Sequence, residues 1–139
     1  MRFQLLAAAA ACLTLSACAT DMPGPGPVLN GVDLSRPVRA LGNEPFWAVT
    51  IDSSLTLARP DYPTLTASNP GPSMSGSSAV YVSTLSDGSR IRVTLTAGPC
   101  SDGMSDRTYR LRSRVEVGAN TVLTGCAESV EVLNQPPRP

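Results

Sequence analysis

Apolar and polar residues alternate along most of the chain between residues 47 and 127. Trp47, Val49 and Ile51 alternate with smaller or polar neighbours. Farther along, an alternating run over 78–85 is followed, after the turn signal Asp87-Gly88, by another over 90–96. A period of two is typical of a β-strand with one buried face. Two such runs joined by a glycine-containing turn predict a β-hairpin.

A second hairpin is predicted after residue 100. Apolar residues from 109 to 117 share one parity, Gly118-Ala119-Asn120 gives a turn, and residues 121–127 return. Shorter runs lie at 55–57 and 64–67, and Val130 with Val132 predicts a final edge strand. Because closing a sheet removes its exposed edges, we predict an all-β domain over residues 38–133. Its expected form is a small antiparallel β-barrel or curled sandwich of seven to eight short strands.

The first residues of the chain have the pattern of a bacterial leader. Arg2 precedes an apolar run over 5–15, which is too short for a transmembrane helix of about 20 residues. The run ends in Leu15-Ser16-Ala17-Cys18, which resembles the lipobox of bacterial lipoproteins, where the cysteine thiol is acylated and the cysteine becomes residue one of the mature protein. The resemblance implies a signal peptide over 1–17 and lipidation of Cys18. An ordinary secretory signal, cleaved near Ala17 or Ala19, is the alternative.

Residues 18–37 and 134–139 are expected to lack packed structure. The first stretch is rich in Pro and Gly and predicts a flexible tether behind the lipidated cysteine, and the second predicts a disordered tail. We therefore expect a protein of the bacterial cell envelope that is anchored in the lipid bilayer and faces the periplasm. Ala19 after the cysteine resembles the sorting pattern of outer-membrane lipoproteins.

The charged residues argue against several classes of function. Eleven basic residues, all arginine, balance eleven acidic ones, so nucleic acid is not an expected partner. The chain has no His, which is the commonest general base. We therefore expect a non-enzymatic monomer without a cofactor or a metal. Five arginines on one strand parity suggest either a patch for anionic lipid or polysaccharide or an ordinary solvated face: Arg90, Arg92, Arg110, Arg112 and Arg114.

Cysteine usage fits an oxidising compartment. If Cys12 is removed with the leader and Cys18 carries lipid, Cys100 and Cys126 remain. We expect them to form a disulfide, which typically adds about 2–4 kcal/mol of stability. A two-cysteine metal site is the rival interpretation, but neither a CxxC motif nor a His is present to complete it.

Two segments are more specific than strand patterning requires. They are Gly-Asn-Glu-Pro-Phe-Trp at 42–47 and Cys-Ser-Asp-Gly-Met-Ser-Asp-Arg-Thr-Tyr at 100–109. Together they resemble a family of uncharacterised bacterial envelope lipoproteins, over residues 38–127. The resemblance implies the fold and the location, and no activity. From the residues themselves we expect Phe46 and Trp47 to pack at the barrel end. The side chains of Asp102, Ser105 and Asp106 are expected to bond backbone amides.

Sharper interpretations of the same residues remain open. Glu44, Trp47, Asp102 and Tyr109 would be the lining of a ligand pocket. Asp102 and Asp106 would offer two oxygen ligands to a cation, fewer than the six to eight that Ca²⁺ prefers. Glu44 with Asp102 or Asp106 would supply the carboxylate pair of a glycan hydrolase.

One further segment suggests a protein partner. Ser75-Gly76-Ser77-Ser78-Ala79-Val80-Tyr81 is similar to the S-G-x-x-x-x-Y segment of membrane-bound lysozyme inhibitors. In that family a loop serine and a lysine enter the lysozyme cleft, which implies Ser75 and Ser77 as contacts here. This chain contains no lysine. A non-enzymatic envelope lipoprotein that binds a periplasmic protein or glycan is thus the first hypothesis, lysozyme inhibition the second and glycan hydrolysis the third.

Overall fold

A computed structural model describes residues 26–138 of the protein. Within that range the chain forms eleven β-strands and one short helix. The strands are β1 (Val28–Leu29), β2 (Val32–Asp33), β3 (Val38–Asn43), β4 (Phe46–Ile51), β5 (Ser54–Ala58), β6 (Leu65–Ser68), β7 (Ser73–Ser75), β8 (Ser78–Thr84), β9 (Arg90–Ser101), β10 (Thr108–Val117) and β11 (Thr121–Ser129), and the helix is α1 (Val130–Leu133).

Nine strands form one antiparallel sheet in the order β6-β5-β4-β3-β11-β10-β9-β8-β7. The sheet curls into a half-barrel, so that β6 approaches the end of β8. A bridge between Ala67 and Leu85 and a hydrogen bond of 2.7 Å from the Ser86 N–H to the Thr66 carbonyl join the two. The predicted all-β class and curled antiparallel form are confirmed. The strands are more numerous than predicted, because β1, β2, β3 and β7 gave no clear alternation.

The core lies inside the curl and follows the predicted parity. Along β10 the side chains of Leu111, Val115 and Val117 are buried, whereas those of Arg112 and Arg114 are exposed. The same alternation in the other strands buries one continuous cluster of side chains, and each fully buried aliphatic side chain contributes roughly 1.5–3 kcal/mol. The largest fully buried side chains include Ile51, Leu55, Leu57, Tyr81, Ile91, Leu95 and Leu111.

The first described residues are folded, in contrast to the predicted tether over 18–37. β1 and β2 form a hairpin whose turn residues, Asn30 and Gly31, have positive φ of 47° and 78°, as a tight hairpin turn requires. Leu29, Val32 and Leu34 join the core at 5%, 0% and 6% exposure. The predicted boundary at residue 38 therefore lies inside the folded part. The predicted signal peptide, Cys18 and residues 19–25 lie outside the described residues.

An ion pair between a buried carboxylate and a partly exposed guanidinium ties this hairpin to the sheet. The Glu128 carboxylate, 1% exposed, accepts hydrogen bonds from the Arg110 guanidinium at 2.6 and 3.1 Å and from the N–H groups of Arg110 and Ser129. Arg110 also donates to the Gly31 carbonyl at 2.9 Å, and Asn30 donates to the Arg110 carbonyl at 2.8 Å. Arg110 is thus occupied in structure and does not belong to an open basic face.

The charge state of this pair follows from its surroundings. Burial raises the pKa of the Glu128 carboxyl, but the Arg110 hydrogen bonds and two backbone N–H groups outweigh burial and lower that pKa overall. Hydrogen bonds to Glu128 in turn raise the Arg110 pKa. Both groups therefore carry charge at neutral pH.

The end of the chain differs from the predicted edge strand. Val130 and Val132 lie in α1, because the Ser129 side chain caps the helix by accepting from the Val132 N–H at 3.1 Å. Arg107 donates to the carbonyls of Val132 at 3.0 Å and Gln135 at 2.6 Å, which attaches the start of the predicted tail to the domain. Over residues 26–138, the chain forms no helix long and apolar enough to cross a membrane.

Replacing Arg110 by Met should lower the free energy of unfolding at pH 7 by about 3–5 kcal/mol, because Glu128 would stay buried without its partner. Denaturant unfolding measures the change. Arg114→Met is the matched control, since Arg114 lies on the same strand but is exposed and makes a longer contact, of 3.6 Å, with a partly exposed Glu116. Equal losses in the two variants would contradict a structural role for the Arg110–Glu128 pair.

Candidate functional site

The two ends of the half-barrel carry different features. At one end, here called the groove end, lie the β3–β4 turn (44–45), the β5–β6 loop (59–64) and the β10–β11 turn (118–120). At the other, the N-terminal end, Pro27 lies beside the β4–β5 turn (52–53) and residues 69–72. Strand β4 connects the ends, with Phe46 at the groove end and Ile51 at the N-terminal end. Its six residues, at about 3.3 Å each, separate the ends by about 17 Å.

The far part of the β9–β10 hairpin crosses over β11 to reach β3. The register of the hairpin shifts between Tyr109 and Leu111, where a bulge allows the strands to bend. Beyond the bulge, Cys100 of β9 forms a disulfide with Cys126 of β11, at a Cα–Cα distance of 5.6 Å, although the two strands are not neighbours. The predicted pairing of Cys100 with Cys126 is confirmed.

Two glycines permit close packing where this crossing meets the sheet. A Cβ atom on Gly125 would overlap the Leu41 carbonyl oxygen of β3, and one on Gly42 would overlap the Trp47 indole. Trp47 is 4% exposed, and its indole N–H donates to the Thr124 carbonyl at 3.3 Å. Trp47 is therefore a packing residue, as one of the two interpretations of its motif predicted. Gly42 of the same motif leaves room for the indole.

Asp102 organises the crossing loop. Its carboxylate accepts from the N–H groups of Met104 at 2.9 Å and Ser105 at 2.8 Å, and from the hydroxyls of Ser105 and Tyr109 at 2.8 Å each. Its carbonyl accepts from the Asn43 side chain at 2.6 Å. Burial raises the pKa of Asp102, but the four hydrogen bonds, led by the Ser105 N–H, outweigh it and hold that pKa at about 2. Asn43 in turn begins the turn that carries Glu44.

The groove end holds an open groove of about 640 Å³, here called the Phe46 groove. Phe46 and Tyr62 leave 54% and 60% of their surfaces exposed there, and prolines lie beside both rings. The groove is lined by Asn43, Glu44, Pro45, Phe46, Arg59, Pro60, Asp61, Tyr62, Thr121 and Leu123. Exposed aromatic rings that gather in a concave surface are typical of a binding site.

Charges of both signs accompany the rings in this groove. The Arg59 guanidinium lies 4.2 Å from the centroid of the Tyr62 ring, a cation–π contact that fixes the orientation of both side chains. The carboxylates of Glu44 and Asp61 are exposed in the same groove. The groove thus combines apolar ring faces with one guanidinium and two carboxylates.

The structure separates several residues that the sequence placed in one candidate pocket. Asp102, Ser105 and Tyr109 are joined by hydrogen bonds, and Tyr109 is 4% exposed. Glu44 lines the Phe46 groove, to which Trp47, Asp102 and Tyr109 do not contribute. Asp106 lies exposed in a different depression, beside the C-terminal residues.

The two remaining candidates lie at the edge of the sheet. Ser75 and Ser77 are exposed at the tip of the β7–β8 hairpin, on either side of Gly76, whose φ of 56° allows the turn. This tip belongs to the N-terminal end, because β8 begins there and runs toward the groove end. The serines and the Phe46 groove therefore face opposite ends of the domain.

The sequence interpretation missed the central residues of the groove. Phe46 was expected to pack in the core, yet it shares the outward parity of Ala48 and Thr50, opposite to Trp47. The position of Phe46 in the alternation of β4 was the signal that could have predicted its exposure. Tyr62 lies between Pro60 and Pro63 in a loop, where an aromatic residue without a strand partner could have been marked as exposed.

Metal ligation gains no support from the described chain. Among residues 26–138, no three His, Cys, Asp or Glu side chains come together as a metal site would require.

Comparison with known proteins adds no assignment. No family model matches the chain, and no curated protein and no solved structure matches it either. The resemblance to envelope lipoproteins therefore stays a prediction.

Replacing Asp102 by Asn should reduce the acid sensitivity of the fold. The pKa of Asp102 is lowered on folding, so its contribution to stability is present above about pH 4 and is lost as the pH falls toward about 2. We expect the free energy of unfolding of Asp102→Asn to fall less steeply over this interval. Urea unfolding at several pH values measures the slope. A wild-type slope in Asp102→Asn would refute the assignment.

Proposed function

We propose that the protein is a non-enzymatic binding module of the bacterial cell envelope, anchored by an acylated Cys18 and binding its ligand in the Phe46 groove. The observation that carries this proposal is the exposure of Phe46 and Tyr62 in one concave surface. Leaving two large aromatic side chains in water forfeits burial energy that a small domain needs. Their exposure is explained by a ligand that covers them.

The state of the acidic residues supports a role in binding over one in catalysis. Asp102, a candidate for glycan hydrolysis, already accepts four hydrogen bonds, and Glu128 is held by Arg110. A general acid or base needs a carboxylate that can exchange a proton with its substrate near the working pH. Asp102, with a pKa of about 2, is poorly suited to that role.

The position of the first described residues suits a membrane anchor. Only seven residues lie between Cys18 and Gly26, and the eight residue steps that join the two span at most about 26–29 Å. An acylated Cys18 would therefore keep the N-terminal end near the lipid surface. Because β4 separates this end from the Phe46 groove, the groove would open on the side opposite the attachment point.

Mass spectrometry of the mature protein should find an N-terminal Cys18 carrying acyl chains. In cells, Cys18→Ser should move the protein from the membrane fraction to the soluble periplasmic fraction, because stable attachment depends on the lipid. Cys12→Ser, within the predicted leader, is the matched control and should remain in the membrane fraction. An unmodified thiol at Cys18 would refute the anchor.

Lysozyme inhibition is a second candidate, favoured by the exposed serines at the β7–β8 tip. It predicts that the purified protein at micromolar concentration slows lysozyme and that Ser77→Trp relieves the inhibition by blocking the tip. Ser73→Trp, exposed on the same hairpin, is the control and should still inhibit. A lysozyme rate unchanged by the wild-type protein would exclude this candidate.

A further inference from the structure

The Phe46 groove continues onto the outer face of the sheet. A second depression, of about 390 Å³, shares Asn43, Phe46, Arg59 and Pro60 with the groove and extends along the outward side of β3, β4 and β5. The small side chains of Ala48 and Ala58 form its floor. Phe46 therefore stands between two adjoining depressions, an arrangement that accommodates an extended ligand better than a single compact molecule.

The side chains of this surface match the chemistry of a sugar chain. A pyranose ring presents a face of C–H groups, which packs on an aromatic ring, and an edge of hydroxyl groups, which donate and accept hydrogen bonds. Phe46 and Tyr62 offer the ring faces, Glu44 and Asp61 offer acceptors, and Arg59 offers donors. This combination of apolar faces with a few polar groups is the usual composition of a selective site.

The local charge favours a glycan of low net charge. Two carboxylates and one guanidinium line the groove, and the adjoining depression adds Arg39, so the combined surface has no net charge that would attract a strongly anionic polymer. The groove lies at one end of β4, and the proposed anchor attaches to the domain at the other end. A ligand located there is accessible above the lipid surface, where a cell-wall polymer lies.

We propose that the Phe46 groove binds a strand of the cell-wall glycan, with sugar rings stacked on Phe46 and Tyr62 and hydroxyls bonded to Glu44, Asp61 and Arg59. This inference rests on the proposed function and names the ligand class of the same site. The protein would then connect the membrane to the wall, with the lipid at one end of the domain and the glycan at the other.

The experiment titrates the full-length lipidated protein, in detergent micelles, with a β-1,4-linked N-acetylglucosamine oligosaccharide, and co-sediments it with isolated peptidoglycan. We expect saturable binding of both probes. Phe46→Ala and Tyr62→Ala should each weaken binding by about tenfold or more, as loss of an aromatic contact typically does. Met104→Ala, at a side chain 70% exposed outside the groove, is the matched control and should bind as the wild type does.

A proline-rich peptide serves as the competing probe, because aromatic grooves also bind extended proline segments. Binding of the peptide alone, lost in Phe46→Ala, would overturn the glycan assignment and leave a binding module at this groove. Failure of every probe, or unchanged glycan binding in both aromatic variants, would also overturn the assignment. Cleavage of the oligosaccharide that Glu44→Gln abolishes would instead refute the non-enzymatic function. Equal free energies of unfolding for the variants and the wild type ensure that lost binding reports on the groove.

Discussion

The crossing of the β9–β10 hairpin over β11 is the constraint on which the candidate site depends. The Cys100–Cys126 disulfide and the Asn43–Asp102 hydrogen bond hold the crossing loop against β11 and β3, neither of which pairs with β9 in the sheet. Gly42 and Gly125 leave the backbones room to pack closely there. Asn43 is also the last residue before the turn that presents Glu44, Pro45 and Phe46. The two sequence motifs are therefore parts of one arrangement, in which the second supports the turn carried by the first.

A second constraint holds the opposite end of the domain. Arg110 and Glu128 connect neighbouring strands of the sheet to the β1–β2 hairpin, so the first described residues are bound to the sheet by charged hydrogen bonds as well as by apolar burial. Such a pair adds less net stability than its short distances suggest, because the Glu128 carboxylate loses its water when it is buried. Its effect is mainly on geometry, since Glu128 holds the Arg110 guanidinium where it donates to the Gly31 carbonyl of the hairpin.

Local alternation predicted most of the sheet, and it did so where strands have one face in the core. The parity of β4, β8, β9 and β10 was legible because apolar and polar residues occupy opposite faces. The burial of Glu128 could not be predicted in this way. This acidic residue has the outward parity and becomes buried only when the distant Arg110 and the β1–β2 hairpin cover it. The Phe46 groove combines β3, β4, β11 and the β5–β6 loop, and such combinations follow from strand order, which local patterns do not determine.

The Pro and Gly content around residue 30 prevented the prediction of the β1–β2 hairpin for a related reason. Its Leu29, Val32 and Leu34 are recognisable as core residues only when the rest of the core is known.

The incomplete curl of the sheet has a consequence for how neighbouring molecules associate. A half-barrel leaves two edge strands, and edges with free backbone groups can recruit strands from neighbouring molecules. Here both edges are short: β6 has four residues and already contacts the end of β8, and β7 has three residues, all exposed. So little free backbone gives a neighbouring strand few places to pair. If the protein is anchored by lipid as proposed, this geometry would oppose edge-to-edge aggregation even at the high local density of a membrane surface.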